Sequence, residues 1–168
     1  GAKITFWHQL GLDNYTYDVL ENKAIHNVPF VIANAGNGLE VFQNHYKIPK
    51  EKLFVLPQYV SIKKVILDAT PLKNKFGIPN NSIVIGMIAH YRTEKYQELL
   101  LQSFSEIKTD KKIHLVFLGN KDNDAETLEK YNSIVALSKS LNCYEKVSFL
   151  SGKSVQEVLN CLDVGVLV

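Results

Sequence analysis

Cysteine is scarce: Cys143 and Cys161 are the only two in 168 residues, and they form no C-x-x-C pair. This excludes a disulfide framework and a paired-thiol zinc site, and it reads as buried free thiols in a reducing cytosol. His26, His45 and His114 have no acidic or thiol partner at ligand spacing, so they read as structural and no metal is expected. No apolar run reaches the roughly 18 residues of a membrane span, and the first residues carry no signal-peptide pattern. Charge of one sign is lacking too. With 19 Lys and Arg against 17 Asp and Glu, the formal charge is +2, and no basic stripe with interleaved aromatics is present, so nucleic acid is not an expected partner. Any basic site must be local. Lys63, Lys64, Lys73 and Lys75 read first as a solvated face, with peripheral contact to an anionic membrane left open.

What is present is most concentrated between Ile83 and Lys95. Ile83, Val84, Ile85 and Ile88 predict a strand buried on both faces, as in parallel sheets under helices. Tyr96, Leu99, Leu100, Ser103, Phe104 and Ile107 recur at helical spacing and predict one packed face of a helix over residues 96–108. His90, Arg92 and Lys95 stand between strand and helix, where unpaired backbone N–H groups and the positive dipole end suit a phosphate. A cation at a helix start opposes the dipole, which favours a ligand role for Lys95; for Arg92 a solvated surface charge stays the other reading, and for His90 a strand-end residue capped by backbone.

Strand-like and helical runs alternate along the chain. Strands are expected over 3–7, 30–33 and 53–56, with helices over 15–24 and 37–46, the latter presenting Leu39, Phe42 and Tyr46 on one face. The pattern lapses after Pro57, where Pro71, Gly77, Pro79 and several lysines read as a connection between domains. It restarts as strand 83–88, helix 96–108, strand 113–118, helix 125–141, strand 146–150, helix 155–162 and strand 164–168. Ser154 and Glu157 form an S-x-x-E capping box ahead of Val155, Val158, Leu159 and Leu162. The resulting division is residues 1–60, a connection over 61–81, and residues 82–168. Such a series predicts an α/β, Rossmann-like architecture of parallel sheets, with ligands at the carboxyl ends of the strands. Both ends fall in or beside apolar strand-like segments, which predicts a piece of a longer chain truncated at each end.

Five stretches in this order resemble the retaining GT-B glycosyltransferases, the glycosyl transferases group 1: Val31 to Ala35, Lys47 to Val60, Lys75 to Pro79, Ile85 to Lys95, and Val147 through Asp163-Val-Gly-Val. The resemblance implies the end of an N-terminal Rossmann-like domain, a crossover, and the first part of a C-terminal nucleotide-sugar-binding domain. It also implies transfer of a sugar, with retention, from a nucleotide-diphosphate-sugar donor to a hydroxyl acceptor, either a glycan or a lipid-linked saccharide, with no cofactor. The family's loop after the first strand of the second domain offers an Arg and, five residues on, a Lys to the donor diphosphate. Lys95 matches the Lys, while the Arg position falls on His90, with Arg92 nearby in the same loop. Imidazole offers one donor where guanidinium offers a bidentate fork.

His8, after Thr5-Phe-Trp7, resembles the family's histidine near the donor sugar; a core histidine is the other reading. Pro57-Gln-Tyr-Val-Ser61 departs from the family's crossover at Gln58 and Ser61, and the family's paired glutamates fall beyond residue 168. Gly86, Gly119 and Gly152 are assigned to donor-site loops. For Gly119 to Asp122 a simple turn is favoured over a ligand contact, and the capping box explains much of the loop at Gly152 and Lys153. The resemblance implies a cytoplasmic enzyme, with peripheral contact at the inner membrane face left open. Two alternatives stay open: a non-catalytic nucleotide- or sugar-binding module of the same fold, and a nucleotide-sugar epimerase.

Overall fold

The computed structural model describes residues 6–9, 18–58, 66–121 and 124–167, with only the backbone of residues 7–9. The expected strand and helix at 3–5 and 15–17, the crossover from Tyr59 to Ser61, Lys63, Lys64, Asp122 and Val168 lie outside the described residues. The chain divides into two compact units, residues 1–63 and 64–168.

In the first unit the strands β1 (Phe6–Gln9), β2 (Phe30–Ala33) and β3 (Leu53–Val55) form a parallel sheet in that order, with Phe6 opposite Phe30 and Val31 opposite Leu53. Helix α1 (Val19–Asn27) starts where Asp18 caps it. The Asp18 carboxylate accepts from the Leu20 and Glu21 amides at 2.8 Å each, and the Glu21 carboxylate accepts from the Asp18 amide at 3.1 Å. Helix α2 (Gly36–Asn44) supplies Phe42, which joins Ile25, Val31, Tyr46, Ile48 and Leu53 in a core on one side of the sheet. His26 is structural here: its ring nitrogens lie 2.8 Å from the Asn22 carbonyl and 3.0 Å from that of Tyr46.

The second unit holds β4 (Ile83–Ile88), α4 (Gln97–Ser105), β5 (Ile113–Leu118), α5 (Ala125–Ser140), β6 (Val147–Leu150), α6 (Val155–Leu159) and β7 (Val164–Gly165). Its strands run parallel in the order β6-β5-β4-β7. Alternation along β5 sends Leu115 and Phe117 into one core with Met87, Leu101, Phe104 and Ile134, and Val116 and Leu118 into another with Val84, Leu150 and Val158. Full burial of side chains such as Leu101, Phe117 and Ile134 contributes roughly 1.5–3 kcal/mol each. Cys143 and Cys161 are free and buried, and burial pushes both thiols above their ordinary pKa.

Three expectations need correction. The stretch read as a connection, 61–81, contains helix α3 (Ala69–Phe76), whose end packs Phe76 and Ile78 into the second unit's core. The apparent breakers are its termini: Pro71 sits in the first turn, where a missing N–H costs no helical bond, and Gly77 closes the helix at φ 68°. Of the face expected for α4, Leu100 and Phe104 are buried, but Tyr96, Leu99 and Ile107 are exposed, and Gln97 and Leu101 complete the packed face instead. Finally, the capping box at α6 is only half formed. Ser154 Oγ accepts from the Glu157 amide at 3.4 Å, but the Glu157 carboxylate turns to Lys75, at 2.8 and 2.9 Å, and ties α6 to α3. Asp163 is a turn residue that continues the sheet pairing. Its carboxylate accepts from the Val84 amide at 2.8 Å, and its own amide donates to the Val84 carbonyl at 2.9 Å.

His114 on β5 is buried, with Nε2 2.8 Å from Ser148 Oγ. Desolvation lowers its pKa, so the unfolded chain takes up the proton first as pH falls. The stabilising difference is complete above the ordinary histidine pKa of about 6.5 and is lost progressively below it. Urea unfolding should therefore show stability falling from pH 7 to pH 5, with a shallower fall in His114→Gln.

Candidate functional site

The carboxyl ends of β4, β5 and β6 carry three loops, and between them lies a cavity of about 350 Å³. Ile88, Ala89, Leu118 and Val155 give it apolar walls, and His90, Asn120, Gly152 and Lys153 contribute its polar groups. A second space of similar size, about 360 Å³, opens on the other side of Gly152 and Lys153 against Lys121, Tyr131 and Phe149. Parallel sheets place ligand sites at this end because their loops and helix N-termini converge there.

The loop from Ala89 to Tyr96 is built around a buried tyrosine. Tyr91 is 1% exposed, packs edge-on against Tyr131 with ring centroids 5.2 Å apart, and burial pushes its phenol pKa well above the ordinary value. Its exposed neighbours His90 and Arg92 face solvent. The loop then tightens into a single 3₁₀ turn, Thr93–Lys95, closed by Lys95 N–H to Arg92 C=O at 3.1 Å. Tyr96 caps α4 in the left-handed region at φ 49°, a conformation a bulky side chain rarely adopts. Strain of that kind, of order 1–3 kcal/mol, persists only where the surroundings impose it.

The two candidate cations differ in their surroundings. Arg92 Nη1 lies 3.9 Å from Glu94 Oε1. Its charge also reaches Asp124, whose carboxyl is held below its ordinary pKa first by hydrogen bonds from the Thr127 backbone and side chain and then by Arg92. Lys95 has no carboxylate within ion-pair distance among the described residues. Of these two, Arg92 is thus partly compensated and Lys95 is not; Lys153, which lines the cavity, likewise has no carboxylate within ion-pair distance among the described residues.

Gly119 and Gly152 lie in the loops expected for them. A Cβ at Gly119 would stand 2.4 Å from the Ala89 carbonyl and 2.9 Å from Tyr91 Cε2, and Gly152 turns the β6 loop at φ 64°. Gly86 does not lie in a loop. It sits within β4, where a Cβ would stand 2.4 Å from Leu162 Cδ2, so its small size makes room for the Leu162 side chain from the connection between α6 and β7. His8 lies in β1 of the first unit, and its side chain is outside the described residues. Sequence reasoning missed Tyr91 and Gln97, the buried residues that bracket the cationic loop. An aromatic inside an otherwise polar loop was the available signal for Tyr91; a glutamine in the first turn of a helix carried none.

The sequence pattern of the family described as glycosyl transferases group 1 matches residues 68–167, more than half of the chain. The chain belongs to that family. A comparison with curated proteins finds no match. Among solved structures, a glycosyltransferase from Rickettsia africae is similar at 16% identity and a TM-score of 0.74, over 94% of this chain and 44% of that one. HepE from Anabaena, in complex with UDP and glucose, is similar at 16% identity and a TM-score of 0.76, over 95% of this chain and 45% of that one. WaaG, a glycosyltransferase involved in lipopolysaccharide biosynthesis, is similar at 16% identity and a TM-score of 0.67, over 80% of this chain and 36% of that one. The chain spans less than half the length of these structures. At such identities the likeness speaks for the fold, and the parallel α/β units are those of GT-B glycosyltransferases.

In this group 1 glycosyltransferase chain the close approach at Gly119 has a direct test. Gly119→Ala should destabilise by about 1–3 kcal/mol in urea unfolding, because the new methyl meets the fixed Ala89 carbonyl. Gly86→Ala should cost less, because the atoms it meets are the flexible end of Leu162.

Proposed function

We propose that the protein is a glycosyltransferase that binds a nucleotide-diphosphate-sugar donor at the carboxyl ends of β4 to β6 and transfers the sugar to a hydroxyl acceptor. The observation that carries this reading is the half-buried Lys95, without a carboxylate partner among the described residues, beside the exposed Arg92 on a loop anchored by Tyr91, in a chain of the group 1 family. The cavity beside that loop, with His90 at its edge, offers room for the rest of the donor.

In the transfer, the bond from the sugar's anomeric carbon to the diphosphate oxygen breaks, the acceptor hydroxyl oxygen takes its place, and the hydroxyl's proton passes to the departing diphosphate. The leaving diphosphate gains negative charge, and fixed cations stabilise it without reorganising at the moment of reaction. Lys95 supplies a point charge, Arg92 a planar fork, and His90 a single donor where the family's pattern has Arg. This chemistry is expected to run without a cofactor or metal, the cationic side chains and helix end neutralising the phosphates. Retention of anomeric configuration, a glycan or lipid-linked acceptor, and a sugar-contacting His8 belong to the same reading through the family resemblance. So does a cytoplasmic location with peripheral membrane contact. No helix of the described residues is long and apolar enough to cross a membrane.

Calorimetric titration of UDP, GDP and their sugars into the protein as encoded tests the proposal. One diphosphate should bind saturably, and Lys95→Ala should weaken it by about 1.5–3 kcal/mol, the range for a hydrogen bond to a charged group. Binding that Lys95→Ala leaves unchanged would refute the assignment. Donor binding without sugar transfer would favour a non-catalytic module of the same fold.

A further inference from the structure

Gln97 opens α4 at a position that is 1% exposed, and the other buried side chains of that helix, Leu100, Leu101 and Phe104, are apolar. Its Nε2 donates to the His90 carbonyl at 2.7 Å, while its Oε1 is buried with no hydrogen-bond partner among the described residues. Methionine would fill the same volume without desolvating an amide, so packing does not account for glutamine here. A half-satisfied buried amide calls for a reason beyond packing.

The reason lies in what the bond joins. His90 and Gln97 are the two ends of the stretch that carries Arg92 and Lys95, and the bond closes that stretch across its base. Tyr91 anchors the entering side in the core, and the 3₁₀ turn and the left-handed Tyr96 leave the exiting side strained. A strained backbone turn of this kind persists only where its surroundings hold it. Because the bond grips the backbone of His90, it also sets where that residue meets the cavity.

We infer that Gln97 is a positioning residue, a clamp whose hydrogen bond to the His90 carbonyl holds the Arg92 and Lys95 loop in its ligand-ready shape. Its consequence for donor binding rests on the function proposed above; the clamping itself does not.

The test compares Gln97→Met with Leu101→Val, a core truncation on the same helix that leaves the clamp intact. Gln97→Met should speed tryptic cleavage after Arg92 and Lys95, and weaken binding of UDP or GDP, each about tenfold, as expected for loss of one hydrogen bond holding a loop. Leu101→Val should lower the melting temperature while changing neither. In the wild-type protein, one Gln97 side-chain amide proton should exchange slowly with solvent. Wild-type cleavage rates and nucleotide affinity in Gln97→Met would overturn the inference, as would equal changes in both variants or fast exchange of the amide proton. If the wild type binds no nucleotide while Gln97→Met still opens the loop, the clamp stands and the donor reading falls.

Discussion

Burial of the Tyr91 ring between the β-sheet and α5 is the contact on which the arrangement at the strand ends depends. The loop leaving β4 is polar on either side of it, and the aromatic ring inserted into the core anchors the segment to the protein. That insertion requires the neighbouring backbone to pass close by, which Gly119 permits because it has no side chain. The residues on each side of the ring, His90 and Arg92, are then turned outward by the same geometry that buries it. Core packing and the presentation of charge are therefore one event, and a change in the core at Tyr91 would be felt at the cations.

The electrostatics build on that scaffold. Arg92 shares its charge with Glu94 and Asp124, both of which have other work: Glu94 lies in the 3₁₀ turn and Asp124 caps α5 through a 2.7 Å bond from the Thr127 amide. Exposed pairs of this kind contribute little to stability but still lower the local potential. Lys95 has no such partner among the described residues, and it stands two residues before the helix start, where cations are otherwise unfavourable. A site that places an uncompensated charge against a helix dipole is poised for an anion. His90 in the place of the family's Arg shifts more of that task to Arg92 and Lys95.

Much of this was legible in the residues alone. The strands at 83–88 and 113–118 coincide with their expected limits, because β-branched runs between turn residues have few other ways to be buried. The positions of His90, Arg92 and Lys95 between strand and helix followed from the same pattern. The buried face of α4 followed only in part: Leu100 and Phe104 are buried as expected, but Tyr96, Leu99 and Ile107 are exposed and the polar Gln97 is buried, against the hydrophobic pattern. Helix α3 was hidden by Pro71 and Gly77, residues that interrupt a helix in its middle but define its ends. Gly86 was misplaced for a related reason: a glycine near a strand end resembles a loop residue until the Leu162 side chain packed against it is seen.

The central claim is that the loop between β4 and α4 receives the donor's diphosphate. A crystal structure of the protein with a bound nucleoside diphosphate tests it most directly. The account predicts phosphate oxygens within hydrogen-bond distance of Lys95 Nζ and the Arg92 guanidinium, with the loop otherwise unmoved. A diphosphate seated against another loop, with Lys95 left in solvent, would contradict it.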